Sequence, residues 1–469
     1  MAKPNVKRSV LIVGGGVSGL STAYFLSKQG IRTTIVEKAE RLGGLIQTDR
    51  LEGCDLEAGP DSYIAAKPAV TELAEELGIK DRIIGSNDAE RRIFIVRHGN
   101  LQPFPRGMVM MAPSELGPAL RSPLFSLGTK IGFVREWFMR PKERAGDVSI
   151  EQFVLEHFGR EVLDVVTEPL LSGVYGGEAG RLSARSVLPR FVKYEAEYGS
   201  LIRGVRGERK TAAQGGSLFL SFAGGMQTLI DTLERAIEPV PNIVKGEALA
   251  IERADGAWRV RVGDDWIVAD DVVLACPAFA SARILANAAP ALADQLSAIP
   301  YSSAIAVMLL FDRAQLEHTL DGFGFLTPPS ERRTIAAATY INTKFPSRIR
   351  TGLVALRAFL VGRQAEERMN ASDDDLLRLV REDFIRLLGI TAAPVLHTVH
   401  RWPRSMPQYI VGHADRCRQI LKHLHDLQGL YVTSNAFEGV GIPDCVRLAK
   451  ETGNRVALSA NALNIMEKS

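Results

Sequence analysis

Apolar and polar positions along the chain follow two alternating rhythms. An apolar run at Val10–Val13 predicts a strand, an amphipathic segment to about Gln29 a helix, and Arg32–Glu37 a second strand ending in an acid. Helical spacing returns at Pro68–Leu77 and closes at Gly78. Arg92–Arg97, the turn His98-Gly99-Asn100 and Leu101–Phe104 then read as a hairpin. Met108–Phe138, broken by Pro113, Pro118 and Pro123, reads as short helices with an apolar face that could be core, cap an apolar substrate or touch a membrane surface. Ser149–Leu171 is predicted as one helix capped by Ser149, giving way to a glycine-rich turn through Gly177. Helical sequence runs on to about Gly204, and a polar loop is expected over 207–216.

The second half is richer in strands. Helix Gln227–Ile237 precedes a meander of Ile243–Ile251, Trp258–Val262 and Asp271–Ala275, followed by a helix through Leu285. Strands are expected at Ala304–Phe311, Gly322–Leu326, Ile335–Ile341, Leu353–Val361 and Val395–Trp402, with few helices between them, which points to a mostly antiparallel second sheet. Ser372 followed by three aspartates starts a helix to Leu388, and another spans about Gly412–Leu424. A short buried strand, Gly429–Ser434, meets a glycine turn, and the last helix begins at Pro443-Asp444.

Composition narrows the class only modestly. The 469 residues are 46% hydrophobic and 24% charged, with a formal charge of +3, so nothing favours nucleic acid as a partner. Cys54, Cys276, Cys417 and Cys445 lack ligand spacing, which argues against zinc or a disulfide framework and suits a reducing compartment. The histidines, His157 among them, form no constellation that demands a side-chain base and read as structural or surface residues. Neither a signal peptide nor an apolar run of the ~20 residues needed to span a bilayer is present, so a cytoplasmic protein is expected, with peripheral membrane contact left open.

The chemistry concentrates at the two ends. In the loop Gly14-Gly15-Gly16-Val17-Ser18-Gly19, Gly14 allows the turn, Gly16 admits a pyrophosphate to the backbone and Gly19 lets helix and sheet approach. The helix start offers free N–H groups and the positive end of its dipole. Glu37, followed by Lys38, stands where a carboxylate would accept from ribose hydroxyls. Past this strand come Arg41, able to pair with a phosphate, and Gly43-Gly44; a second turn follows at Gly59-Pro60-Asp61-Ser62. At the far end, Gly441-Ile442-Pro443-Asp444 opens a helix whose dipole could face a flavin ring that gains negative charge on reduction.

The extended pattern E-x-x-x-R-x-G-G, Glu37 to Gly44, resembles the FAD-binding superfamily of amine oxidases, phytoene desaturases and protoporphyrinogen oxidases. Three further stretches, Glu168–Tyr175, Arg401–His413 and Glu438–Cys445, resemble the oxygen-dependent porphyrinogen oxidases, nearest to the branch acting on coproporphyrinogen III. The resemblance implies an α/β (α+β overall) fold with a Rossmann-like FAD domain (1–88, 218–294, 412–469), a mixed-sheet substrate domain (89–107, 295–411) and a helical domain (108–217). It implies FAD contacts along the segments above and at Leu249 and Trp402, and substrate contacts at the Gly173 carbonyl and at Lys67, which could pair a propionate. It further implies six-electron oxidation of the tetrapyrrole with molecular oxygen as final acceptor and hydrogen peroxide as product; no catalytic side chain is assigned. Protoporphyrinogen IX is the alternative substrate, an amine oxidase or desaturase the more distant reading, and a homodimer is compatible. Relatives often carry glycine where this chain has Ser434.

Overall fold

The computed structural model describes residues 8–211, 216–237 and 242–466, apart from the side chains of Val174, 209–211 and 460–466. Its first sheet is parallel, with five strands in the order Asn242–Lys245, Arg32–Glu37, Ser9–Val13, Asp271–Leu274 and Leu430–Val432. Distant parts of the chain therefore meet side by side. The helix Val17–Ser27 joins the two strands nearest the N-terminus. The sequence pattern predicts an amphipathic helix here, yet every residue from Ser18 to Leu26 is buried. The reason is its central place: the helices Gln227–Ile237 and Ile442–Met466 cover the side turned from the sheet.

The expected meander is real but differently divided. Ile243–Ile251 splits at Gly246, whose φ of 155° breaks the strand, so that Asn242–Lys245 joins the parallel sheet and Ala248–Ala254 starts a separate antiparallel one. That smaller sheet is completed by Ala257–Val262 and by Asp265–Ala269, a strand the sequence pattern does not reveal; nor does it reveal the helix Pro290–Ser297.

A second large sheet has seven strands in the order Leu396–Pro407, Tyr301–Asp312, Leu353–Val361, Ala337–Tyr340, Gly324–Leu326, Ile93–Arg97 and Asn100–Pro103. All pairs are antiparallel except Gly324–Leu326 with Ile93–Arg97, so the sheet is mixed. The hairpin turns on His98 and Gly99, both at positive φ, the mirror-image geometry that matches strand twist. The strand predicted to end at Trp402 continues to Pro407, because it lies at the sheet edge, where proline is tolerated.

The helical layer departs most from expectation. Ser149 does cap its helix, accepting from the Gln152 N–H at 3.1 Å, but the helix stops at His157. Gly159 turns the chain at φ 83°, Arg160–Val162 restarts it, Leu163–Thr167 is π-helical, and Glu168–Tyr175 continues as α-helix. Gly173 is thus helical, and the glycine turn begins only at Gly176, φ 59°. The loop expected over 207–216 is helical as far as Thr211; residues 212–215 lie outside the described residues. Met108–Phe138 opens with a small hairpin, Met108–Val109 with Ala112–Pro113, before the helices Leu116–Arg121 and Leu127–Glu136. Its residues Met111, Ala119, Leu124, Phe125 and Phe133 are core, whereas Leu127, Ile131, Val134 and Phe138 are exposed.

Within this layer His157 is fully buried between two carboxylates, its Nδ1 3.1 Å from Glu136 and its Nε2 3.2 Å from Glu195. Burial opposes its protonation, but the hydrogen bonds to both carboxylates outweigh burial and raise its pKa. No described helix is long and apolar enough to cross a membrane.

Candidate functional site

The glycine loop and the turn after the second strand close on each other. Gly14 N–H donates to Val36 O at 2.8 Å, Gly43 N–H to Gly15 O at 2.8 Å, and Gly16 bridges Gly43. A Cβ on Gly19 would lie 1.9 Å from Gly14 O, and one on Gly44 3.2 Å from the Gly16 Cα. The result is a cradle without side chains at the start of Val17–Ser27. That helix has neither a side-chain cap nor an acid in its first turn, so its free N–H groups suit a phosphate.

Glu37 is held beside this loop, accepting from Gly15 N–H and Ala39 N–H, both at 2.7 Å. Arg41 is half-buried and braces the turn, donating to the carbonyls of Leu42 (3.0 Å), Gly44 and Ile46 (2.8 Å); burial lowers its pKa. Lys38 is exposed. Leu249 sits at a β-bulge in the small antiparallel sheet, just past Gly246, whose N–H donates to Glu37 O at 2.9 Å.

The turn Gly59–Ser62 is pinned from several sides. A Cβ on Gly59 would collide with Leu45 O at 1.7 Å. Trp402 Nε1 donates to Ala58 O at 2.9 Å and the Arg357 guanidinium to Gly59 O. Ser221 Oγ donates to Asp61 O at 2.8 Å, and Lys344 Nζ spans both Asp61 carboxylate oxygens at 3.0 and 2.8 Å. Burial pushes the Asp61 carboxyl up, but Lys344 and Arg357 together outweigh it and hold the group well below the usual carboxylate range.

At the other end, Gly439 (φ 110°) lies against Asp444, where a Cβ would be 2.3 Å from the carboxylate carbon. Buried Tyr409 fixes the approach: its hydroxyl donates to Asn435 O at 2.7 Å and accepts from Gly439 N–H at 2.9 Å, while His413 stacks on its ring at 4.0 Å. Ser434 Oγ, at the end of the strand, accepts from Ala436 N–H at 3.2 Å. The helix then opens through Gly441, Ile442, Pro443 and Asp444, and Cys445 reaches Ser18 of the first helix. The two helix starts are thus neighbours. Burial pushes the Cys445 thiol up to about 11, which keeps it protonated and inert.

Lys67 Nζ is 2.6 Å from Asp444 Oδ2, and the lysine side chain is half-exposed. A Cβ on Gly173 would meet nothing within 4 Å, so that helix face borders open space. Its C-terminal Tyr175 carbonyl is held by Ser302 Oγ at 2.8 Å and by Gln408. Tyr175 packs edge-on against Tyr409 at 5.9 Å, whose hydroxyl holds Gly439 just ahead of the last helix, and burial with nearby Asp444 pushes the Tyr175 hydroxyl up to about 12. The structure therefore brings the predicted residues of both chain ends and of Glu168–Tyr175 into one region. Sequence reasoning misses Lys344, Arg348 and Arg357; a lone arginine inside Leu353–Val361, otherwise apolar, is the available signal. Among the described residues no cluster of three or more His, Cys, Asp or Glu could hold a metal.

Residues 17–457 match the family of flavin containing amine oxidoreductases. The chain is 32% identical over 461 residues to the coproporphyrinogen III oxidase of Bacillus subtilis, covering 95% of this chain and 97% of that one. It is 31% identical to the coproporphyrinogen III oxidase of Staphylococcus aureus, covering 96% and 99%. A crystal structure from Exiguobacterium sp. 255-15, provisionally named a protoporphyrinogen oxidase, superposes with a TM-score of 0.86 at 30% identity, covering 96% and 99%. A glycine cradle at the end of a parallel strand, beside a second helix start, suits a dinucleotide. The chain belongs to the flavin containing amine oxidoreductase family, and it is an FAD-dependent oxidoreductase. At Gly16 a Cβ would have only the Gly44 Cα near it, at 3.8 Å, so the backbone at the helix start is open, and that opening fits the cofactor's pyrophosphate.

Proposed function

We propose that the chain oxidises coproporphyrinogen III to coproporphyrin III, passing the electrons to molecular oxygen with release of hydrogen peroxide. Bound FAD supplies the acceptor for two electrons at a time. The glycine loop with Val17 and Ser18, Glu37-Lys38, Arg41–Gly44 and Leu249 hold its adenosine and pyrophosphate, and Gly59–Ser62, Trp402 and Gly441–Asp444 its ring. The Gly173 carbonyl and Lys67 receive the tetrapyrrole. We divide the chain accordingly into the discontinuous FAD domain 1–88, 218–294 and 412–469, the substrate domain 89–107 and 295–411, and the helical domain 108–217.

One observation carries the choice of substrate: a half-exposed ammonium, Lys67, stands at the opening of the last helix, 2.6 Å from Asp444. A cation there is suited to a substrate bearing carboxylates, and a tetrapropionate offers more of them than its divinyl counterpart. Parallel steady-state assays with coproporphyrinogen III and protoporphyrinogen IX test it. The expected result is a higher kcat/KM for the tetrapropionate, with Lys67→Ala raising its KM roughly tenfold, the ~1.4 kcal/mol scale of a charge-assisted hydrogen bond. Preference for the divinyl substrate would favour the alternative reading, protoporphyrinogen oxidation.

The exposed helix residues Leu127, Ile131 and Val134 and, just past the helix end, Phe138, with Lys130 and Arg135 beside them, support peripheral contact with an anionic membrane. Co-sedimentation with anionic vesicles that Leu127→Ser/Phe138→Ser abolishes is the expected outcome. Free cysteines throughout support a cytoplasmic setting.

A further inference from the structure

Behind the Gly59–Ser62 turn lies a buried group of five charges. Glu57 and Arg357 are each 3% exposed, Arg348 2% and Lys344 8%; Asp61 completes the set. The pairing leaves a remainder. Arg348 meets Glu57 at 3.0 Å, and Lys344 holds Asp61 at 2.8 Å. Arg357 makes its hydrogen bond to a carbonyl, that of Gly59, and the structure gives it no ion pair among the described residues. Its Nε, and the Nε and Nη1 of Arg348, have no hydrogen-bond partner among the described residues. Three cations therefore face two carboxylates, in a place where burial penalises every charge. Burial raises the Glu57 pKa and lowers that of Arg357, and the nearby Asp61 and Glu57 carboxylates offset burial at Arg357 only in part. Stacking on Phe359 and Phe345 gives the guanidinium groups π-faces but no countercharge.

A buried cation without a countercharge of its own is costly, and here it is fixed by hydrogen bonding to the backbone of the Gly59–Ser62 turn. We infer that Arg357, backed by Lys344 and Arg348, is an electrostatic positioning residue for the flavin: its surplus positive charge favours the reduced cofactor, which becomes anionic. This rests on the reading that Gly59–Ser62 borders the flavin ring. With FAD bound, hydride loss from a substrate C–H bond and release of the N–H proton to solvent would leave one negative charge on the reduced ring, which the Arg357 cation would offset. The same cation orients the Gly59 carbonyl, as Trp402 does the neighbouring Ala58 carbonyl.

The test uses FAD-loaded protein and the potential of its flavin rather than turnover. Arg357→Met is expected to shift the oxidised-to-reduced equilibrium about tenfold toward oxidised, a fall of ~30 mV for a two-electron couple. Sulfite, which adds to oxidised flavin and leaves it anionic, should bind about tenfold more weakly, and Arg357→Lys should recover most of both effects. Glu57→Gln removes a negative charge and should move both readouts the opposite way, and it decides the matter if Arg357→Met fails to fold. A flavin-bearing Arg357→Met protein with unchanged potential and sulfite affinity overturns the inference, as does a change confined to the KM for the tetrapyrrole, which would assign the charge to a substrate carboxylate. Wild-type protein that binds no FAD would instead overturn the underlying functional reading.

Discussion

Gly19 is the position where one methyl group decides whether the cofactor cradle can form. Its Cβ would fall 1.9 Å from Gly14 O, inside backbone rather than against a side chain that could move. Gly19→Ala is therefore expected to destabilise the fold by at least the ~1–3 kcal/mol typical of overpacking and to leave the protein largely without FAD. The ratio of flavin to protein absorbance, read beside a thermal melt, checks both; a fully yellow variant would contradict the geometry. His157 makes a different kind of prediction. Both ring nitrogens face carboxylates, and its pKa is raised above the ordinary 6.5. A raised pKa means that its contribution to stability is complete below about pH 6.5 and is lost as pH rises through the folded value. Glu195 runs the other way: burial pushes its pKa up, the hydrogen bonds of His157 and Arg144 outweigh burial and lower it, and its contribution is lost only in acid. Urea melts of the wild type from pH 6 to 9 should show falling stability. His157→Gln should cost roughly 3–5 kcal/mol at the acid end and show a flatter slope. Parallel slopes would mean that the imidazole is not the titrating group. The sequence leaves this histidine as structural or surface, and the structure buries it; the triad is hidden in the sequence because its acids come from other helices.

At the scale of elements, legibility follows the range of the forces involved. The strand Leu353–Val361 and the helix that Ser372 begins are readable because alternation and capping are local. Ser372 Oγ accepts from Asp375 N–H at 3.1 Å, and three aspartates occupy the first turn. Ser372→Ala should cost about 1 kcal/mol and leave flavin content unchanged, since this helix packs on the seven-stranded sheet away from the cradle. Chemical denaturation followed by flavin absorbance separates the two effects. Ser149–Leu171 reads as continuous because its apolar spacing survives the break at Gly159 and the π-helical turn at Leu163–Thr167. The break is local, a glycine at positive φ that the apolar spacing masks, whereas the π-helical turn buries Leu163, Val165 and Val166 in the helical core and is set by packing there. The candidate site shows the same division. The glycine turns at Gly14–Gly19 and Gly43-Gly44 and the acid Glu37 are legible from their spacing alone. Lys344 and Arg357 reach the Gly59–Ser62 turn only in the folded chain, across 283 and 298 residues.

Across the whole molecule the proposed cofactor site is a place where covalently distant segments would be held by a common ligand. The parallel sheet sets Leu430–Val432 beside Asp271–Leu274, which in turn pairs with Ser9–Val13. The proposed FAD contacts come from the segment ending at Ser62, from Leu249, from Trp402 on the second sheet and from the start of the last helix. FAD should therefore act as a clamp between elements that the backbone connects only through long excursions. A ligand bound to the native state alone adds ~2.7 kcal/mol of stability at a hundredfold excess over Kd and ~4.1 kcal/mol at a thousandfold. Apoprotein prepared by mild removal of the flavin should melt several degrees below the holoenzyme, and its Tm should rise with the logarithm of added FAD. AMP, which can occupy only the glycine loop and Glu37, should recover part of that rise. The remainder requires a ligand long enough to reach Gly441–Asp444, where the last helix starts beside the first. Protease sensitivity of the last helix should accordingly fall with FAD but not with AMP. If AMP protected that helix as well as FAD does, the ring end of the site would lie elsewhere, and Gly441–Asp444 would be an ordinary helix start.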